Sequence, residues 1–334
     1  MQKSVDVDGY DVVTIGETML RLTPPNQLRI RQAKQFDIEV GGTESNTAVG
    51  LAQLGLKVAW VSRLPRNPVG ELVTQTLTSY GVDCRHVCWA DDERLGIYFF
   101  EDGAAPRGSR VIYDRQHSAL SRMKTVDLPL ALLQSQKASL LHVTGITPAL
   151  NRDVAEVLET AVSHAQQANW LISFDLNYRS KLWSPSEARQ GCEPFVQAAH
   201  IFLLPLRDAV LIYGVEAEAE TAVRTLAQQY PDTLIVLTLG SAGAIAYDPE
   251  TDQVIRQASF PVETQIGRLG GGDAFDAGFL YGYLTSKSER VANALRWGAA
   301  TASIKYTIPG DMPLVEKAEV EALFHAGSDG AVRR

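Results

Sequence analysis

Two periodicities alternate along the chain. Short apolar runs bounded by Gly, Pro and Asx residues read as strands, and apolar positions spaced three and four apart read as helices. Asp11 to Ile15 is one such run, ending at Gly16-Glu17; Thr18 to Leu22 stays extended until Pro24-Pro25 breaks it. Gly41-Gly42 leads into TESNTAVGLAQLG, where Ala48, Leu51, Ala52 and Leu54 keep helical spacing and Gly55 signals a stop. Val58 to Val61 then reads as a buried strand. From Ala138 onward SLLHV, WLISF, IFLL and TLIVLTL are apolar strands, with helical patterns at about 151–166, 186–199, 206–213 and 216–229. Two further helices fall at about 272–285 and 288–304, and the closing AGSDGAVRR reads as a frayed tail. This alternation predicts an α/β fold with a doubly wound, mainly parallel sheet and helices on both faces. Arg94 to Asp114 differs in character: LGIYFFED, the turn-rich GAAPRGS and RVIYD predict a hairpin and a small β appendage.

Composition narrows the function classes. The 334 residues allow one large α/β domain with a minor appendage. Hydrophobic residues at 45% and charged residues at 21% are near the globular average, so a sizeable core is expected. The formal net charge of −8, with no Lys/Arg-rich run, argues against a nucleic-acid partner. An anionic substrate would need positive charge supplied locally. No apolar run approaches the ~20 residues of a membrane span. The opening MQKSVDVDGYDVV lacks the pattern of a signal peptide, and three cysteines are too few for a disulfide framework. A cytoplasmic protein is expected. Cys84, His86 and Cys88 would share a strand face, but zinc normally needs a fourth ligand, so ordinary strand residues are the expectation.

In an open parallel sheet, ligands bind outside the carboxyl ends of the strands, and four segments fall there. Gly270-Gly271-Gly272 runs into a helix carrying Asp273. Converging backbone N–H groups and a helix N-terminus suit a transferring phosphoryl group, and an acid set there suits accepting a proton from an attacking hydroxyl. The bland alternative is a flexible loop with Asp273 as a helix-terminal charge. Asp175, Asn177 and Arg179 follow WLISF and by alternation would share a side; a solvated loop is the plain alternative. Thr238, Gly240 and Gly243 form a weak glycine fingerprint or a tight turn between strands. Gly41-Gly42, with Glu44 and Asn46, permits close backbone approach to a ligand or simply starts a helix.

In order, Gly16-Glu17, GGTESN, the aromatic hairpin, FDLNYR, TLGSAG and GGGDAFDAGF resemble the ribokinase-like (PfkB) carbohydrate kinases over about residues 10–325. HVTGITPAL, RVIYDRQHSAL, FDLNYRSKLWSPSEAR and KYTIPGDMPL are similar to the 2-keto-3-deoxygluconate kinases of that family. The resemblance implies one ribokinase-like domain over 1–330, with a β lid from about 17–40 and 94–115. It implies ATP-dependent phosphorylation of a terminal hydroxyl of a small sugar acid, with Asp273 as base and Gly270, Gly271 and Gly272 as the anion cradle. Sugar-acid contacts would come from Gly42, Asn46, Tyr98, Tyr113, Arg115, Ile146, Asp175 and Arg179. Arg115 and Arg179 suit a carboxylate through bidentate hydrogen bonding. Thr238, Gly240 and Gly243 would lie along ATP, Mg²⁺ would bridge its phosphates, and a homodimer would form through the lids.

Two departures stand out. Where the family has Asn-x-x-Glu near magnesium, this chain has Pro205-Leu206-Arg207-Asp208, leaving Asp208 as an indirect metal contact. Where the family has Asp-Thr beside a monovalent cation, it has Gly267-Arg268, so Arg268 would stand in for the cation near the nucleotide. Other readings are a kinase for a neutral sugar and a sugar-binding regulator with weakened transfer. A dinucleotide-dependent dehydrogenase is disfavoured because no early strand–glycine–helix fingerprint is present.

Overall fold

The computed structural model describes residues 9–267 and 269–324. The chain opens with β1 (Tyr10–Ile15), β2 (Met19–Thr23) and β3 (Asp37–Gly41), then enters α1 (Thr43–Gln53). It returns through β4 (Val58–Val61), β5 (Arg63–Pro65), α2 (Pro68–Ser79), β6 (Val82–Asp83) and β7 (Cys88–Ala90). A hairpin of β8 (Ile97–Glu101) and β9 (Arg110–Asp114) follows, then the short α3 (Leu130–Leu133) and β10 (Ala138–Thr144). Next come α4 (Arg152–Gln167), β11 (Leu171–Asp175), α5 (Pro185–Ala198), β12 (Ile201–Pro205) and the single turn α6 (Leu206–Asp208). After α7 (Ala219–Gln229), the strands β13 (Leu234–Thr238), β14 (Ala244–Asp248) and β15 (Gln253–Gln257) lead to α8 (Gly271–Thr285), α9 (Arg290–Lys305) and α10 (Lys317–Leu323).

Nine strands form the main sheet in the order β15-β14-β13-β12-β11-β10-β1-β4-β6. All pairs from β13 to β6 are parallel, and β14 and β15 add an antiparallel edge. Side chains alternate across it. Val13, Ile15, Phe202, Leu204, Ile235 and Leu237 join one core with α4, α5 and α7. Val12, Ile201, Leu203, Leu234 and Val236 join the other with α1, α2, α8 and α9. Both faces of the strands are thus covered, which is why they read as continuous apolar runs. A four-stranded sheet, β3-β2-β8-β9, stands apart from the main one and contains the expected hairpin.

Helix starts follow local chemistry. Val154, Val157, Leu158, Ala161, Val162 and Ala165 give α4 its buried stripe, and the Asn151 side chain caps it by accepting from the Val154 N–H at 3.0 Å. Ser184 and Glu187 form a capping box on α5, and Asn67 caps α2. By contrast α1 and α8 each begin at a glycine, Gly42 and Gly270, with no side-chain cap.

The helical pattern at 206–213 is present, as one α-turn followed by a π-turn over Ala209–Tyr213, ended by Gly214 at φ +65°. Other expectations need correction. The next helix starts at Ala219 rather than 216, because the Glu218 carboxylate takes the Glu220 and Thr221 N–H groups. Cys84 and His86 lie between β6 and β7, with His86 against the Tyr10 hydroxyl at 3.1 Å; the turn there ends any strand alternation. Among the described residues no three His, Cys, Asp or Glu side chains are gathered to hold a metal. The tail after Phe324 lies outside the described residues.

Phe174, on β11, is fully buried and stacks on Phe195 at 5.6 Å and Phe202 at 6.0 Å between ring centroids. Truncation leaves a cavity as well as losing burial, so Phe174→Ala is expected to cost about 3–5 kcal/mol in denaturant unfolding with an unchanged m value. A loss below about 1 kcal/mol would remove this stack from the core's main supports.

Candidate active site

The carboxyl edge of the sheet collects the singled-out segments. In order across it come Gly16-Glu17 after β1, Thr144 to Thr147 after β10, Asp175 to Arg179 after β11, Pro205 to Asp208 after β12 and Thr238 after β13. The uncapped starts of α1 and α8 lie over the first part of this edge. Gly270 holds φ +75°, and a side chain there would collide with the Asp311 carbonyl, so only glycine fits. Its conformation starts α8 with free first-turn N–H groups that the helix itself cannot pair.

Asp273 is in the first turn of α8 and is buried. The Asn46 amide, on α1, donates to its carboxylate at 2.7 Å. Burial pushes the Asp273 carboxyl up to about 7, with Asp175 and Asp311 adding to the rise and the Asn46 hydrogen bond and Arg179 opposing it. A carboxylate at that value exchanges a proton readily near neutral pH.

Asp273 faces a cleft that also contains Glu17, Gly42, Glu44, Asn46, Tyr98, Tyr113, Arg115, Ile146, Arg179, Gly270 and Asp311. Gly42, Asn46, Tyr98, Tyr113, Arg115, Ile146 and Arg179, expected from the sequence as substrate contacts, therefore come together. Tyr98 and Tyr113 are cross-strand neighbours on β8 and β9, with ring centroids 5.8 Å apart. The two arginines differ. Arg115 is ion-paired to the buried Glu17, whose other oxygen accepts from the Ser118 hydroxyl. Arg179 lines the cleft with no side-chain hydrogen bond or ion pair among the described residues, its charge felt by Asp273, Asp175 and Asp208. Glu44 is buried and accepts from Thr144 at 2.8 Å and Thr147 at 2.7 Å, which anchors α1 to the end of β10; burial raises its pKa.

Asp175 stands outside the cleft wall, contrary to the alternation argument. Asn177 adopts a left-handed backbone (φ +39°), and its N–H and side-chain amide bond Asp175 at 3.1 and 2.7 Å. The chain turns there, sending Arg179 into the cleft and leaving Asp175 beside Asp276 beneath it. Burial raises both of these carboxyls, Asp175 to about 6.

Thr238, Gly240 and Gly243 form the turn from β13 into the antiparallel β14, away from the cleft lining. Gly243 sits at φ +96° with its α-carbon packed on the backbone of residues 257–259, a packing reason for glycine. Thr238 is in register with Pro205, which places this turn next to Asp208 on the carboxyl edge. Asp208 is buried, accepts from Arg207 at 3.3 Å and has its pKa raised by burial. Gly271 and Gly272 open α8 beside Gly270. Arg268 lies outside the described residues.

The sequence reading assigned no role to Glu17 and did not name Arg21 or Asp311. Asp311 accepts from Tyr98 and Arg21, and Arg21 is buried between it and Glu39. Asp311 was within reach, since it sits in the quoted run KYTIPGDMPL; its partners are 213 and 290 residues away in sequence and leave no local signal.

The sequence matches the pfkB family carbohydrate kinase profile over residues 10–318. It is 38% identical to the 2-dehydro-3-deoxygalactonokinase of Haloferax volcanii, covering 97% of this chain and 99% of that one. It is 28% identical to the 2-dehydro-3-deoxygluconokinase of Bacillus subtilis, over 94% and 95% of the two chains. The crystal structure of the 2-dehydro-3-deoxygluconokinase of Thermotoga maritima superposes with a TM-score of 0.85 at 32% identity, covering 94% of this chain and 98% of that one. A buried carboxylate at a glycine-led helix start, a cleft of arginines and tyrosines, and likeness along nearly the whole chain lead to one conclusion: the chain belongs to the pfkB family of carbohydrate kinases.

Proposed function

We propose that the protein transfers the γ-phosphoryl group of ATP to a terminal hydroxyl of a 2-keto-3-deoxy sugar acid, 2-keto-3-deoxygluconate or its galactonate epimer. The observation that carries this reading is Arg179, an open guanidinium sharing one cleft with the buried Asp273 carboxylate. A neutral sugar would leave that guanidinium without a hydrogen-bonded partner when the cleft closes, whereas a carboxylate would pair with it. The 38% identical galactonate kinase and the gluconate kinases support the acid class and leave the epimer to experiment.

In this mechanism the substrate carboxylate pairs with Arg179, while Arg115, held by Glu17, contributes field and shape. Tyr98 and Tyr113 wall the sugar. The terminal hydroxyl donates to Asp273; as its oxygen bonds to the γ-phosphorus, the proton passes to the carboxylate and ADP departs with the bridging oxygen. Charge on the phosphoryl oxygens meets the first N–H groups of α8 at Gly271 and Gly272, with Gly270 allowing the approach. One hard carboxylate, Asp208 beside the Thr238 turn, is available to a magnesium ion carried in with the phosphates. When bound, the ion would neutralise phosphate charge, and Asp208 would hold it through water.

Purified protein with ATP, Mg²⁺ and a panel of sugars and sugar acids is expected to release ADP with the two 2-keto-3-deoxy acids. Asp273→Asn should lower kcat on the order of 10²–10⁴-fold. Because the base works deprotonated, kcat/KM should rise with pH through about 7 and level off above it. Preference for a neutral hexose would sink the acid assignment. Arg179→Met should raise KM for the acid on the order of 30-fold or more, with a smaller effect on kcat, as expected for loss of a charge-assisted pair; an unchanged KM would reassign the carboxylate to Arg115.

On the same reading the four-stranded sheet is a lid that excludes water from transfer. Ile38 and Ile112, exposed on it, make a seam that a second copy would cover. Sedimentation at micromolar concentration should then report a dimer that Ile38→Asp dissociates; a monomeric wild type would refute the seam.

A further inference from the structure

Lys305, the last residue of α9, is completely buried, and the mechanism above does not use it. A buried ammonium is costly unless its protons find acceptors. Here Nζ donates to two backbone carbonyls of one loop, Ile308 at 3.0 Å and Gly310 at 2.9 Å. A third segment closes on the same point. A side chain at Gly267 would begin 3.2 Å from Nζ and 2.5 Å from the Ile308 carbonyl, so glycine there leaves the ammonium its place. The N–H groups of Ile266 and Gly267 donate to the Tyr306 carbonyl at 2.8 and 3.1 Å, joining the approach to α8 to this loop.

The loop is the wall behind the anion cradle. The Tyr306 hydroxyl packs on Gly271, where a β-carbon would lie 2.6 Å from it. The Asp311 carbonyl packs on Gly270, and the Asp311 carboxylate reaches the cleft between Tyr98 and Arg21. One ammonium therefore ties three things together: the segment entering α8, the loop supporting Gly270 and Gly271, and the acid at the cleft wall.

We propose that Lys305 is a positioning residue, a built-in cation that shapes the phosphoryl cradle through backbone carbonyls and frees the reaction from any added monovalent cation. The inference rests on reading the Gly270–Asp273 segment as the transfer site. A carbonyl-lined point is what a potassium or ammonium ion would occupy, and a tethered amine occupies it without a binding equilibrium. Burial pulls the Lys305 pKa down to about 8 while Asp311 and Asp273 pull it up, so at pH 7 the amine is charged.

The test compares wild type, Lys305→Ala and Lys305→Met at pH 7 in tetramethylammonium salts with ATP and Mg²⁺. Ammonium, potassium or propylammonium chloride is then added; propylammonium restores the atoms removed in Lys305→Ala. Wild-type turnover should be indifferent to all three. Lys305→Ala should lose on the order of 100-fold in kcat and regain a large part of it, saturably, with ammonium or propylammonium. Lys305→Met, which fills the space without charge, should stay slow under every condition. A wild type that needs added potassium, a fully active Lys305→Met, or a folded Lys305→Ala that no cation restores would each overturn the proposal. Melting temperature gives a readout independent of turnover. Ammonium should raise that of Lys305→Ala by a few degrees over tetramethylammonium and leave wild type unmoved, and no shift would count against the proposal. Were wild type silent toward every acceptor while this shift appeared, the kinase reading would fail and the ammonium's role in the loop would stand. Should Lys305→Ala not fold, the wild-type and Lys305→Met measurements still decide.

Discussion

The meeting of two helix starts above one sheet edge is the constraint on which the site depends. α1 and α8 bring glycine-led N-termini together, and the Asn46–Asp273 hydrogen bond of 2.7 Å joins them. Gly50 of α1 lies against Ala277 of α8, close enough that a β-carbon would be 2.7 Å from the Ala277 methyl. Glycine and alanine at this crossing let the backbones approach, and the approach lets an amide on one helix fix a carboxylate on the other. A bulkier pair would part the helices and move Asp273 away from Asn46.

Around that junction the protein manages an unusual density of buried charge. Glu17 is neutralised by Arg115, Asp311 by Arg21, and Glu44 is satisfied by threonine hydroxyls. Pairing of this kind offsets the desolvation cost and holds side chains in fixed positions. Arg179 is the departure from the scheme, with charge but no hydrogen-bonded acceptor among the described residues. On the proposed function, that guanidinium is where the substrate carboxylate would pair.

Much of this was legible in the sequence, for identifiable reasons. Strands buried on both faces announce themselves as apolar runs, so β1, β4 and β10 to β13 were readable, as was the β8–β9 hairpin from its aromatic arms and turn-rich middle. The Gly270–Asp273 segment was readable because three glycines before an acid are chemically odd. What stayed hidden was long-range or backbone-driven. Nothing local in Asn177 says that it will take a left-handed conformation and separate Asp175 from Arg179. The Arg21–Asp311 pair joins the two ends of the chain. Glu218 overrode the helical spacing before it by capping α7 late. Lys305 reads as an ordinary helix-end cation until the carbonyls of the following loop are seen to surround it.

The order of strands divides labour along the gene. Arg115, Ile146 and Arg179 and the tyrosines of the small sheet all lie before residue 180, whereas the Thr238 turn and the α8 cradle lie after residue 237. On the proposed function, most residues assigned to the acceptor thus precede those assigned to the phosphoryl donor, with Asp273 and Asp311 reaching the acceptor cleft from the second half. On that reading, substitutions at Tyr98, Tyr113, Arg115 or Arg179 would alter acceptor choice while leaving the Asn46–Asp273 junction in place. That separability offers one physical route by which a single scaffold could serve many sugars.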